Sequence, residues 1–163
     1  MMMKSMLIGF FAAAALVGCG AAAAAPAADT PTSGVTVFDE AHFLTAADDS
    51  AKRGDKDAAV QLYQSAIVYA PNDPVPYERL AHFYANNGQN ELAMQFFTTA
   101  LDVQPAYAPA LQGLALLALA SGNRAGAQVQ HELLLRACGA SCPETTQVEK
   151  ALNDTAATSG TKP

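Results

Sequence analysis

The sequence contains no tryptophan, and phenylalanine and tyrosine together make up only 7% of its 163 residues. A core must therefore be built mostly from small aliphatic side chains, and alanine is abundant. Basic residues are also few: nine Lys and Arg stand against fifteen Asp and Glu, which gives a net charge of −6. Proteins that track nucleic-acid phosphates, or that hold anionic lipid by charge, need a basic face. The composition disfavours both functions and predicts an acidic, helical domain.

Cysteine is scarce too, with only Cys19, Cys138 and Cys142 present. Three cysteines are too few for a disulfide-built scaffold and too widely spread for a zinc ribbon. None of the three histidines has a Ser, Cys or Asp partner at a catalytic spacing, and there is no glycine-rich phosphate loop. The sequence therefore predicts a protein that is not an enzyme, with no cofactor, no small-molecule substrate and neither catalytic nor metal-binding residues.

The first residues have the features of an export signal. Lys4 precedes an apolar run from Met6 to Val17, which is too short to span a bilayer as a helix. The run ends in Leu16-Val17-Gly18-Cys19, which resembles the lipobox of bacterial lipoproteins. The resemblance implies cleavage before Cys19 and attachment of acyl chains, palmitate among them, to the mature protein. Two or more acyl chains give stable membrane attachment.

We therefore interpret residues 1–18 as a lipoprotein signal peptide and residues 19–37 as a flexible tether from lipidated Cys19. Residue 20 is Gly rather than Asp, and by resemblance to enteric lipoproteins this favours the outer membrane, with the domain facing the periplasm. Ala21 to Ala28 contains several sites that a general signal peptidase could cut, so soluble secretion stays open as an alternative. Residues 155–163 are polar and predict a disordered tail.

Between these ends the sequence repeats itself every 34 residues. The same interval relates three sets of residues, namely Gly54, Gly88 and Gly122; Ala59, Ala93 and Ala127; and Pro71 and Pro105. The pattern resembles the tetratricopeptide repeat, a helix-turn-helix unit of about 34 residues. In the middle unit, Tyr77, Leu80, Ala81 and Tyr84 follow the pattern of the family most closely.

The resemblance implies an all-α, right-handed solenoid over residues 38–154. We place three repeats at 40–73, 74–107 and 108–141, followed by a cap helix at 143–154 that covers the last apolar face. The glycines are expected to end the first helix of each unit with φ above zero. Ala81 and Ala93 are expected to lie where two helices cross, and Tyr84 to be buried between helices.

In this family the first helices of successive repeats line a concave groove that binds peptides. The groove positions, carried over residue by residue, include Leu44, Asp48, Glu78, His82, Asn86, Gln112, Leu116 and Leu119. Chaperone-binding members of the family hold a carboxylate with Lys and Asn at positions where this chain has other residues. We therefore do not expect this chain to bind a carboxylate in that way. A mixed apolar and acidic groove predicts an amphipathic helix or a peptide with basic residues as the partner.

Cys138 and Cys142 are four residues apart around Gly139, which supplies a turn. In an oxidising compartment such a pair predicts a disulfide, here one that fastens the cap helix to the last repeat. A thiol-redox or metal-handling function of these two cysteines stays open as an alternative.

Small lipoproteins of this architecture resemble pilotins and Tad-type pilus assembly lipoproteins. The resemblance implies a non-enzymatic scaffold that is lipid-anchored in the bacterial envelope and helps to build a pilus or secretion system. Its partner is expected to be an envelope protein or peptide, and the membrane is contacted through the lipid anchor.

Overall fold

The computed structural model describes residues 39–159. This part of the chain contains α-helices and no strands. The helices are α1 Glu40–Arg53, α2 Lys56–Tyr69, α3 Pro74–Asn86, α4 Asn90–Val103, α5 Ala108–Ala120, α6 Arg124–Ala137 and α7 Pro143–Ser159. The signal peptide predicted at 1–18 and the tether predicted at 19–37 lie outside the described residues, as do residues 160–163 of the predicted tail.

Side-chain oxygens fix where several helices begin. The Asp39 carboxylate accepts a hydrogen bond from the backbone N–H of His42 at 2.8 Å, and Asn123 accepts one from Gly126 at 2.9 Å. Such caps satisfy N–H groups of the first turn, which have no partner within the helix. The first helices begin at Glu40, Pro74 and Ala108, the residues at which the three repeats were predicted to start.

Glycine marks the end of each first helix. Gly54, Gly88 and Gly122 have φ of 81°, 74° and 76°, in the left-handed region that side chains with a Cβ rarely adopt. The chain can therefore reverse within a few residues and begin the second helix of the unit. The prediction that these glycines end the first helices is confirmed.

Alanine lies where the two helices of each repeat cross. The pairs are fully buried and consist of Ala47 with Ala59, Ala81 with Ala93, and Ala115 with Ala127. Their small side chains allow the helix axes to come close, and larger side chains such as Leu80 and Phe97 fill the space around them. Tyr84, expected to be buried, is half-buried and stacks on Phe96 of α4 with ring centroids 5.5 Å apart.

The repeats stack so that α3 contacts both α1 and α5, and α7 packs against α5 and α6. Val148 and Leu152 of α7 join Leu111 and Leu134 in one buried cluster. The helix α7 thus covers the face that a further repeat would otherwise bury. The predicted fold class, an all-α solenoid of three helix-turn-helix units with a C-terminal cap helix, is confirmed.

The cap helix is longer than predicted. The sequence placed its end at Asp154, and the structure continues it to Ser159. A guanidinium N–H of Arg124 on α6 donates to the carbonyl oxygen of Leu152 at 2.6 Å and to Oγ1 of Thr155 at 2.8 Å. This tertiary contact holds the last turns of α7, whose polar composition had favoured an earlier end. None of the described helices is both long enough and apolar enough to cross a membrane.

Candidate functional site

The first helices α1, α3 and α5 form one face of the array, and two adjoining cavities open between them. The first has a volume of about 340 Å³ and is lined by Asp48, Ala51, Lys52, Tyr63, Glu78, Arg79, His82, Phe83 and Asn86. The second has a volume of about 250 Å³ and is lined by His82, Ala85, Asn86, Asn90, Phe97, Gly113, Leu116, Leu117 and Ala120. His82 and Asn86 border both cavities, so that the two are parts of one groove.

Polar side chains from three helices form a continuous chain in the first cavity. The hydroxyl of Tyr63 on α2 donates to Oδ1 of Asp48 on α1 at 2.6 Å, and Arg79 on α3 donates to Oδ2 of Asp48 at 3.2 Å. Arg79 Nε lies 3.9 Å from Glu78 Oε2, and His82 Nε2 lies 3.0 Å from Glu78 Oε1. We refer to Tyr63, Asp48, Arg79, Glu78 and His82 as the groove network.

Within the groove network, the carboxylates of the groove already have partners from this chain. Asp48 has Tyr63 and Arg79 as partners, and only 12% of the Glu78 side chain is exposed. The expectation that these carboxylates would be offered to a basic partner therefore does not match their contacts. The cationic side chains of this cavity are more accessible, with Arg79 50% and Lys52 75% exposed.

Burial also acts on the tyrosine of the network. Burial raises the pKa of the Tyr63 hydroxyl well above its usual range, and the hydrogen bond to the Asp48 carboxylate raises it further. The hydroxyl thus stays protonated and serves as a donor. The bond joins α2 to α1, and Arg79 continues the connection to α3, so the network links repeats one and two across the groove.

The second cavity is mainly apolar. Phe97 of α4 is fully buried, and its ring packs against the backbone of α5 at Gly113, where a Cβ would overlap the ring. The rings of His82 and Phe97 make a T-shaped contact, with centroids 4.9 Å apart. Leu116 is 38% exposed at the wall of this cavity, and the side-chain amides of Asn86 and Asn90 lie at its border.

Comparison with known proteins identifies the fold. A family profile described as the tetratricopeptide repeat matches residues 62–95, which run from the second helix of one unit into that of the next. The chain also resembles the tetratricopeptide domain of Sgt2 from Aspergillus fumigatus, with a TM-score of 0.63, 23% identity and coverage of 76% of this chain and 84% of that one. Residues 62–95 thus match the tetratricopeptide repeat, and the described helices share the fold of solved tetratricopeptide domains.

Two further solved structures share the arrangement. One is the type III secretion chaperone SycD of Yersinia enterocolitica in complex with a peptide of the translocator YopD, with a TM-score of 0.62, 19% identity and coverage of 73% of this chain and 93% of that one. The other is the TPR2B domain of yeast Sti1 in a complex with Hsp70, with a TM-score of 0.63, 16% identity and coverage of 73% and 97%. At these identities the likeness concerns the fold.

Among curated proteins, the chain is 39% identical over 82 residues to Protein NPGR2 of Arabidopsis thaliana. The match covers 50% of this chain but 11% of that protein, so this tetratricopeptide array spans only a small part of its relative.

Three of the predicted groove residues have other contacts in the tetratricopeptide array. Leu44 is half-buried and packs against the cluster of Ala47 and Tyr63. The Gln112 amide donates to Oε1 of Gln147 on α7 at 2.7 Å. Leu119 is half-buried and packs against the cluster that contains Val148 of the cap helix. These three residues line neither of the two cavities, whereas Asp48, Glu78, His82, Asn86 and Leu116 do.

Several groove residues were not predicted as such from the sequence, namely Tyr63, Arg79, Asn90, Phe97 and Gly113. Tyr63 and Phe97 occupy the large aromatic position of the second helix, which the repeat pattern assigns to packing alone. Gly113 carries a usable signal, since a glycine inside an apolar helix indicates close approach of another group. Arg79 carries none, because an arginine on a helix surface is common.

The cysteine pair lies at the junction of α6 and α7. Cys138 and Cys142 are joined as a disulfide with a Cα–Cα distance of 5.7 Å, and Gly139 between them has a φ of 88°. Oε2 of Glu144 lies 2.8 Å from Sγ of Cys142, and Oγ1 of the buried Thr145 lies 3.6 Å from Sγ of Cys138. The bond therefore connects the last repeat directly to the cap helix.

Proposed function

We propose that this protein is a non-enzymatic scaffold that binds a peptide or helix of another protein in its concave groove. The observation that carries the proposal is the second cavity, where an apolar space between repeats two and three is bordered by uncharged amides. An opening of about 250 Å³ is large enough for one large apolar side chain. The amides of Asn86 and Asn90 are suited to hydrogen bonds with the backbone of a bound segment.

The chemistry of the groove defines the kind of partner. One apolar side chain enters beside Leu116 and Phe97. The exposed cationic donors are Arg79 and Lys52 in the adjoining first cavity, where the carboxylates have partners within the groove network. The proposed ligand therefore carries an acceptor, a carboxylate or a carbonyl group, a few residues from its apolar anchor. The peptide complex of the structurally similar SycD supports this mode of binding by analogy.

A matched pair of leucines tests the groove. Leu116 in the groove and Leu133 on α6 are exposed to nearly the same degree, 38% and 39%. We expect Leu116→Asp to lose the partners that wild type recovers from envelope extract, because an apolar side chain bound in the cavity would remove water from the new carboxylate. Leu133→Asp should recover them as wild type does. If both variants behave alike, the groove is not the binding site.

For the setting of this activity we propose the bacterial envelope, with the lipid-modified Cys19 as the anchor and the array in the periplasm. The lipobox-like Leu16-Val17-Gly18-Cys19 supports this proposal. Assembly of a pilus or secretion system is the proposed process, on the strength of the architectural resemblance to pilotins and Tad-type lipoproteins. A strain that lacks this protein and assembles only incomplete pili or secretion complexes would agree with this proposal.

The alternative, thiol-redox activity, is opposed by a contact of the cysteine pair. Thiol exchange needs a thiolate, and redox cysteines usually lie in electropositive surroundings. The Glu144 carboxylate is 2.8 Å from Sγ of Cys142, and its negative charge disfavours a second anion there. Scaffolding is therefore the function that the geometry supports better.

A further inference from the structure

The junction of α6 and α7 brings three potential metal ligands together. The sulfurs of Cys138 and Cys142 and a carboxylate oxygen of Glu144 all lie within 4.8 Å of one another. They come from one short segment, Cys138–Glu144, which begins directly after α6 and ends in the first turn of α7. We propose that, once the disulfide is reduced, these three side chains form a binding site for a thiophilic divalent cation such as Zn²⁺.

The donor set indicates the class of metal. Two thiolates are soft ligands that suit Zn²⁺ and exclude Mg²⁺ and Ca²⁺, which need oxygen ligands. A carboxylate is also a common zinc ligand, at about 2.0–2.2 Å. Three protein ligands leave one position of a tetrahedral ion for water. The same Glu144 that disfavours a free thiolate at Cys142 thus supplies a negative charge that a cation compensates.

The disulfide must be reduced before a cation can bind. A dithiol reductant transfers two hydrogens to the sulfurs of Cys138 and Cys142 and becomes a cyclic disulfide itself. The cation then displaces the two thiol protons and binds both sulfurs. In a tetrahedral zinc site with Zn–S bonds of about 2.3 Å, the sulfurs are about 3.8 Å apart. The Cα–Cα distance of 5.7 Å accommodates this spacing without a change in the helices.

The surrounding structure keeps the ligands close when the covalent bond is open. Leu134 of α6 and Val148 of α7 are fully buried in the same cluster, and Arg124 of α6 holds the carbonyl oxygen of Leu152. None of these contacts involves the sulfurs. The two cysteines therefore stay on the short connection between two packed helices after reduction, which lowers the entropic cost of binding a metal.

Zinc titration of the full chain in detergent tests the proposal, with Cys19→Ser in all samples so that only one thiol pair remains. Protein reduced with dithiol and then freed of it under anaerobic conditions should bind one Zn²⁺. Co²⁺ should give the intense near-ultraviolet absorption of cobalt–thiolate bonds. The oxidised form of the same Cys19→Ser protein serves as the control and should bind neither ion at this site.

Glu144→Gln separates the proposed site from a simple dithiol. We expect Zn²⁺ affinity to fall at least about tenfold, since loss of even an outer partner of a metal ligand costs roughly 10–100-fold. Glu149→Gln is the matched control, an exposed glutamate on the same helix, and should bind as wild type does. Equal affinity of oxidised and reduced protein, or of Glu144→Gln and wild type, would overturn the proposal.

Discussion

Gly113 shows how one residue shapes the groove. Its lack of a Cβ lets the fully buried Phe97 ring approach the backbone of α5, and this contact forms the inner end of the apolar cavity. Any larger residue would displace the ring, which already makes a T-shaped contact with His82. A helix-weakening residue is thus retained where close packing requires it.

Gly113→Ala is therefore expected to destabilise the protein, although alanine favours helix formation by about 1 kcal/mol. Forced overpacking of a core costs roughly 1–3 kcal/mol, and a Cβ at Gly113 would overlap the fully buried Phe97 ring. Urea unfolding followed by circular dichroism measures the change. The double variant Gly113→Ala with Phe97→Leu should regain part of the loss, because the smaller side chain leaves room for the new methyl group. Purely additive effects would show that the two residues do not interact.

Tyr63 makes stability depend on pH in the alkaline range. In the unfolded chain its hydroxyl ionises near its ordinary value of about 10. In the folded protein burial and the bond to Asp48 raise its pKa, so the folded state keeps the proton to higher pH. Above about pH 10 the folded state binds more protons than the unfolded state, and the free energy of unfolding falls as pH rises. Burial also raises the pKa of Tyr107, to about 12, with the same sign of effect.

We expect Tyr63→Phe to flatten this alkaline decline, because phenylalanine has no proton to lose. At neutral pH the variant should be less stable by about 1 kcal/mol, the usual value of one hydrogen bond. Thermal midpoints between pH 7 and pH 11 measure both effects. An alkaline slope equal to that of wild type would mean that Tyr63 does not remain protonated in the folded protein.

At the scale of elements, α7 has two separate attachments to the last repeat. One is the apolar cluster with Leu134, together with the hydrogen bonds from Arg124. The other is the bond between Cys138 and Cys142, which closes a small loop. A small loop limits the entropy that the bond removes from the unfolded chain, to about 2 kcal/mol by the usual relation.

Replacing both cysteines, Cys138→Ser with Cys142→Ser, should therefore lower the free energy of unfolding by no more than about 2 kcal/mol. The helix content and partner binding should stay the same, because the groove residues lie on other helices. Mass spectrometry without reduction should detect one intramolecular bond in wild type. Reduced wild type should have the same free energy of unfolding as the double variant. If reduced wild type is instead as stable as oxidised wild type, the bond contributes nothing to stability.

At the scale of the whole molecule, the polar and apolar parts of the groove lie between different pairs of repeats. Repeats one and two are joined by the groove network, which fixes their relative position. The apolar cavity opens between repeats two and three, and the cap helix covers the outer face of repeat three and contacts Gln112. The part of the groove proposed to bind a partner therefore lies between two stabilised ends.

The proposed anchor is also a property of the whole chain. If Cys19 is lipidated, wild type should incorporate labelled palmitate and partition into detergent, and Cys19→Ala should do neither. Mass spectrometry of the mature N-terminus measures the modification directly. A mature chain that starts near Ala28 and carries no lipid mass would contradict this and support soluble secretion.

Much of the fold was predictable because its signals are local. The spacing of 34 residues, the buried alanines and the glycines at the helix ends all act through short-range backbone geometry and the helical period. They predicted the first residue of each repeat. The end of α7 was wrong by five residues, Asp154 against Ser159, because Arg124, distant in sequence, supplies the contact that prolongs it.

The groove was predictable only in outline. The family positions placed Leu116 and Leu119 together, yet residues three apart differ by about 60° around a helix. That rotation puts Leu116 at the cavity and Leu119 against the cap helix. Likewise the sequence shows Asp48 and Glu78 as acidic, but not that Tyr63, Arg79 and His82 are their partners.

The sequence by itself thus determined the helices, their order and the residues at which they turn, because these depend on neighbours within a few positions. Tertiary structure alone decided that Asp48 is already paired and which leucine faces the groove. Each of these depends on distances between separate helices, which packing sets and local pattern does not.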